Sequence, residues 1–155
     1  MHDGHVVING SENSVDISEP LISLIQFYKA FNEGSLSLMR KNWLNDPSVS
    51  MANPLGEIRK GWVEIEHLYS SLFSGPITVY VEFYDFSVYC QRDTFLAVGR
   101  ERGHCSIDGS TIELAIRTSR FYVRRGGCWK QLHHHGSIDN PKLLQDYQTA
   151  VRNYK

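Results

Sequence analysis

The second half of the chain constrains the fold most. From residue 77 onward four segments, 77–90, 94–105, 110–124 and 128–137, alternate side chains with a period of two and are dense in β-branched and aromatic residues. Only Gln91-Arg92-Asp93, Ile107-Asp108-Gly109 and Gly126-Gly127 separate them. Connections this short make consecutive strands antiparallel neighbours, because a parallel crossover needs a dozen residues or more. A four-stranded meander therefore fills this half. Both faces of its strands carry apolar residues, which predicts cover on both sides: helices on one, another subunit on the other.

The first half reads as helical. Ser18 and Pro20 start a helix, Leu21, Leu24, Ile25, Tyr28 and Phe31 give it an apolar stripe, and Asn32-Glu33-Gly34 ends it. Ser35 caps a second helix with Leu36, Met39, Trp43 and Leu44 on its apolar side, stopped by Asn45-Asp46-Pro47. A short strand and a hairpin-like loop follow around Pro54 and Gly56, and a third helix carries Trp62, Ile65, Leu68, Tyr69, Leu72 and Phe73. The tail, from Asn140, reads as a final helix. Helices first and a meander afterwards make an α+β domain, a cone-shaped barrel in which a curved, mainly antiparallel sheet wraps around the N-terminal helices. Residues 18–155 form this single domain, and residues 1–17 read as an arm outside the core.

Composition narrows the function classes. Sixteen basic and seventeen acidic side chains leave a net charge of −1, which argues against a nucleic-acid partner. No apolar run approaches the roughly 20 residues that cross a bilayer, and the N-terminus lacks a signal-peptide pattern, so the expectation is a cytoplasmic protein without a membrane partner. Cys90, Cys105 and Cys128 lack CxxC spacing and read as buried thiols, neither a disulfide framework nor a metal knuckle.

A cone leaves a cavity between sheet and helices, the first place to look for chemistry. Alternation puts Arg100 in line with Leu96 and Val98, and Arg120 in line with Ile112, Leu114 and Ile116. A buried guanidinium on such a row needs an anion, which is either a guest or one of Glu64, Glu66, Glu82 and Glu113, unless the strand ends that carry the two arginines are simply solvated. In "CWKQLHHHGS" the same alternation groups Trp129, Gln131, His133 and His135 on one side and His134 on the other. Two histidines on one side suit a polar pocket wall or proton transfer, or are core residues satisfied by neighbours; with no HExxH-like third ligand, neither a metal nor another cofactor is expected. Asn53, in the Asn-Pro-Leu-Gly loop, lies where a cavity mouth would be. Tyr28 and Trp62 belong to an aromatic set that is either core or pocket wall.

"FYKAFNEGSL", "MANPLGEIRKG" and "FYVRRGGCWKQLHHHGS" together resemble the SnoaL-like, nuclear-transport-factor-2-like superfamily over about residues 20–150. The basic hairpin Arg124-Arg125-Gly126-Gly127, then Trp129 and the His133-to-Ser137 ending, is similar to the association domain of calcium/calmodulin-dependent protein kinase II and its stand-alone bacterial relatives. The resemblance implies a deep pocket for small carboxylates, with Arg100, Arg120 and His133 or His135 at matching positions. The apolar residues on both sheet faces add the expectation of a homodimer or higher homo-oligomer assembled through the sheet. The superfamily's ketosteroid isomerases place a general-base aspartate where this chain has Asn53, an oxyanion tyrosine at Phe27 and a protonated aspartate near Ser119, so that chemistry has no evident route here.

The leading expectation is thus a small-anion-binding and oligomerisation domain, with Arg100, Arg120, Tyr28, Asn53, Trp62, His133 and His135 around its ligand. The alternative is an isomerase, dehydratase or cyclase using His133 or His135 as acid–base catalyst. A third is pure assembly through a sheet face bearing Tyr80, Tyr84, Phe86 and Val88.

Overall fold

In a computed structural model, which describes residues 6–13 and 18–152, the elements are α1 (Glu19–Glu33), α2 (Leu36–Asn42), β1 (Ser50–Ala52), β2 (Arg59–Lys60), α3 (Trp62–Ser74), β3 (Thr78–Cys90), β4 (Thr94–Ile107), β5 (Ser110–Arg125), β6 (Cys128–Ser137) and α4 (Pro141–Arg152). The expected α+β order holds. Six strands form one open, curved sheet, in the order β2-β1-β6-β5-β4-β3. β1 pairs with β6 in parallel, which sets Met51 beside His134. The sheet does not close into a barrel; α1 and α3 fill its concave side.

Local chemistry sets the helix ends. Gly34 adopts the left-handed conformation at φ 66° and its N–H caps α1, while the Ser35 hydroxyl accepts from Leu38 N at 3.3 Å to start α2. The second helix ends earlier than its apolar pattern suggests. Trp43 becomes extended and bridges to Gln131, and Leu44 N donates to the Gln131 carbonyl, because pairing with the sheet satisfies backbone groups that a helix end would leave open.

Two register shifts twist the sheet and change which residues face inward. One lies between Tyr84 and Ser87 in β3, where Asp85 has φ 50°. The other lies opposite the step from Phe121 to Tyr122, where Leu132 of β6 is the extra residue. After the first, Phe86 is buried and Val88 packs toward the core rather than outward. Gly103 lets β3 lie close against β4, since a Cβ there would sit 1.9 Å from the Tyr80 carbonyl oxygen.

The arm is partly core. Ile8 is buried and exchanges both backbone hydrogen bonds with Phe83, at 2.9 and 2.8 Å, and Asn32 Nδ2 donates to the carbonyls of Asn9 and Val81. Residues 6–13 thereby cover the outer edge of β3, which would otherwise offer unpaired backbone. Residues 1–5 and 14–17 of the expected arm lie outside the described residues. The thiol expectation also needs correction: Cys105 is buried, but Cys90 and Cys128 are exposed. No helix among the described residues is long and apolar enough to cross a membrane.

Candidate functional site

The narrow end of the cone holds a cavity of about 60 Å3. Most of its wall is apolar, from Phe27 and Phe31 of α1, Leu68 and Leu72 of α3, and Leu114 and Ile116 of β5. Against this wall stand Glu101, Arg120, His134 and Asn53. Tyr147 of α4 also lines the cavity, and α4 is tied down by Gln148 Nε2 donating to the Pro54 carbonyl at 2.9 Å and by an Arg152 bond to the Leu55 carbonyl at 3.3 Å.

Arg120 and Glu101 are buried to 3% and 5% exposure. The guanidinium donates from one terminal nitrogen to Glu101 Oε2 at 3.0 Å, from the other to Gln131 Oε1 at 2.9 Å, and from Nε to the Tyr28 hydroxyl at 3.3 Å. Tyr28 donates to the same Glu101 oxygen at 2.6 Å. Beyond Gln131 the network continues to Asn42 Oδ1, which also accepts from Tyr122 at 2.8 Å. The Phe27 ring covers the guanidinium at 3.5 Å. Burial opposes the Arg120 charge, but Tyr28 and Glu101 outweigh it, so the group stays protonated. Burial, reinforced by the Glu101 carboxylate, drives the Tyr28 hydroxyl well above its usual range, which keeps it a donor. Both bonds to Glu101 end on Oε2, so Oε1 has no partner among the described residues.

His134 is the histidine of the cavity. Burial first, and the Arg120 charge second, hold its pKa well below 6.5, so the ring is neutral near pH 7. Its Nδ1 lies 3.4 Å from the Ser119 carbonyl, a contact that requires Nδ1 to carry the proton and leaves Nε2 as the basic nitrogen.

The sequence-expected site is therefore only partly assembled. Arg120 and Asn53 line the cavity, but Asn53 Oδ1 is engaged by Leu55 N at 3.1 Å in a turn. Tyr28 sits behind the cavity, within the network. Trp62 packs against Trp43 at 6.3 Å between ring centres and is core. Arg100 is on the outer face, 53% exposed and 3.3 Å from Asp85; strict alternation puts its neighbour Glu101 inside, with Phe95, Ala97 and Cys105. His133 and His135 are also on the outer face, where the Ser50 hydroxyl meets His133 Nδ1 at 2.7 Å. The bulge at Leu132 exchanges their side with that of His134. Each guanidinium already has an internal anion: Glu101 for Arg120 and Asp85 for Arg100, neither of them among the four candidate glutamates. Ser119, too, points outward. Among the described residues no three His, Cys, Asp or Glu side chains are grouped to hold a metal ion.

The model of the SnoaL-like domain matches residues 23–141. The chain belongs to this SnoaL-like family. Solved structures share the architecture. A Thiobacillus denitrificans protein provisionally described as a calcium/calmodulin-dependent protein kinase type II association domain is 25% identical, with a TM-score of 0.61 over 76% of this chain and 93% of that one. A Streptomyces avermitilis protein provisionally described as a dehydratase of the NTF2-like family is 20% identical, with a TM-score of 0.68 over 80% and 96%. A nuclear transport factor 2-like superfamily protein of Salmonella enterica, 15% identical, gives a TM-score of 0.70 over 77% and 87%. No curated protein matches the chain.

Proposed function

We propose that this SnoaL-like chain is a small-molecule binding domain whose cone receives a compact, largely apolar guest through one neutral hydrogen-bonding group. The observation that carries this reading is the charge balance of the cavity. Arg120 and Glu101 cancel, and His134 is neutral, so a carboxylate guest would meet no net positive charge. A hydroxyl can instead donate to Glu101 Oε1 or to His134 Nε2, and a carbonyl can accept from a guanidinium N–H of Arg120, without displacing the internal pair. The cavity is small, about 60 Å3, so it suits a compact guest.

A thermal-shift screen of small hydroxy and keto compounds against matched carboxylates tests it, followed by calorimetry. Neutral guests are expected to bind, with affinity lost in Ile116→Phe, which fills the cavity. Preference for carboxylates, or binding unchanged by Ile116→Phe, overturns the reading.

A second reading, acid–base catalysis, is favoured by His134: a neutral imidazole and a carboxylate share one water-poor cavity. The dehydratase description of the Streptomyces relative belongs to the same class of chemistry. Enzyme-dependent loss of deuterium from the α-carbon of a bound ketone, abolished in His134→Gln, would support it; exchange that survives the substitution excludes it.

Self-association through the outer sheet face belongs to the same proposal. Pairing register lines up Tyr89, Leu96, Phe121 and His133 across four strands, with Val98 in the next row. Tyr89 and Val98 are exposed large apolar residues, so the row offers a surface that a second copy would cover.

A further inference from the structure

A second, larger concavity lies outside the cone, between α3, α4 and the β1–β2 hairpin. Its volume is about 620 Å3, inside the range of small-molecule sites. Its floor is made by Leu55, Leu68 and Leu72, whose other sides wall the cone cavity, and Ile77 and Val151 extend the apolar surface. The charged or titratable side chains on it are Arg59 of β2 and His67 of α3; no acid lines it among the described residues. Arg59 is half-buried and, among the described residues, makes no ion pair. Arg40, Arg100, Arg102, Arg120 and Arg124 each have a carboxylate partner, and Arg92, Arg117, Arg125 and Arg152, which have no ion pair among the described residues, are exposed.

We infer that this groove binds an amphipathic monocarboxylate, a chain or ring of apolar character ending in one carboxylate. Arg59 takes the carboxylate, for which a planar guanidinium offers two parallel donors, and the His67 ring and Ser71 hydroxyl lie on the same groove as further polar contacts. The apolar body lies along Leu68 and Leu72, successive residues of one α3 face. Charge complementarity selects the head group and the leucine floor selects the tail. The site is separate from the polar cluster in the cone and does not depend on the guest proposed there.

Calorimetry on the whole chain with octanoate as probe, and octylamine as the same tail with the opposite charge, tests the assignment. Octanoate is expected to bind with one site per chain, and octylamine not to bind. Arg59→Gln should weaken octanoate at least tenfold, and Ser71→Trp, an exposed position on the groove, should remove binding. Ile116→Phe, which fills the cone, should leave it unchanged. Absence of octanoate binding to the unsubstituted chain, equal binding of octylamine, or full affinity in Arg59→Gln overturns the proposal. Loss in Ile116→Phe with retention in Ser71→Trp also does so, by placing the guest in the cone. Circular dichroism confirms that both variants at exposed or half-buried positions keep the fold.

Discussion

Arg120 and Glu101 meet at 3.0 Å inside the cone although neither faces the other in the strand register: Arg120 is paired with Ala97 and Glu101 with Ile116. The contact is diagonal, made possible by a long guanidinium reaching along the curved sheet. Three further groups, Tyr28, Gln131 and Phe27, complete its surroundings. A pair so enclosed holds the floor of the cavity in one arrangement.

Removing one partner leaves the other charge buried without compensation. Arg120→Met or Glu101→Leu alone is expected to cost about 3–5 kcal/mol, whereas the double substitution costs less than the sum. Urea unfolding of the two single variants and the double variant measures the coupling. Additive losses would mean that the two side chains do not act as a unit.

Gly103 and Gly109 separate steric crowding from backbone conformation. A Cβ on Gly103 would collide with the backbone of β3, so Gly103→Ala is expected to destabilise by about 1–3 kcal/mol or more through forced separation of the strands. Gly109 has φ 79° and nothing within 4 Å of its Cβ position, so Gly109→Ala should cost only the left-handed penalty of about 1–2 kcal/mol. Chemical denaturation of both variants, with amide exchange across β3 and β4, checks the difference; only Gly103→Ala should accelerate exchange there.

The pH response follows from the two depressed histidines. In the folded chain the pKa of His134 lies well below 6.5, and that of His133 is also lowered, in both cases chiefly by burial. Below that value the unfolded chain binds more protons than the folded one, so the stability held above it is lost as the pH falls. Unfolding free energies at about pH 7.5 and about pH 5 should therefore differ, and His134→Gln should reduce the difference more than His133→Gln does. An unchanged pH dependence in His134→Gln would assign the effect elsewhere.

The element order was legible in the sequence because each element carries its own period and its own stop signal, as at Gly34, Pro76 and Gly126-Gly127. The site was not, for a reason that Leu132 illustrates. Period-two reading assumes an uninterrupted ladder, and one extra residue in β6 reverses the side of every residue after it, which brings in His134 and sends His133 and His135 out. Glu101 was readable: it alternates with Phe95, Ala97 and Cys105, the buried set of β4. Arg100 drew attention by standing in the row of Leu96 and Val98, a row that is apolar on the outer face. The place of Tyr147 in the cavity wall depends on how α4 packs, which no local pattern encodes.

Tyr147 makes that placement testable. The ring is buried in the cavity wall, and burial, with Cys105 and Glu101 nearby, raises its hydroxyl pKa, so it lines the cone as a neutral group. Tyr147→Ala removes the equivalent of a phenol and should destabilise by about 3–5 kcal/mol, while α4 keeps the bonds of its Gln148 and Arg152 side chains to the Pro54 and Leu55 carbonyls. The space the ring vacates, lined by Leu and Phe side chains, accepts a small aromatic molecule. Phenol should therefore raise the melting temperature of Tyr147→Ala and leave the unsubstituted chain unaffected, with Ile116→Phe cancelling the rescue. Equal shifts in both proteins would show that Tyr147 does not occlude the cone.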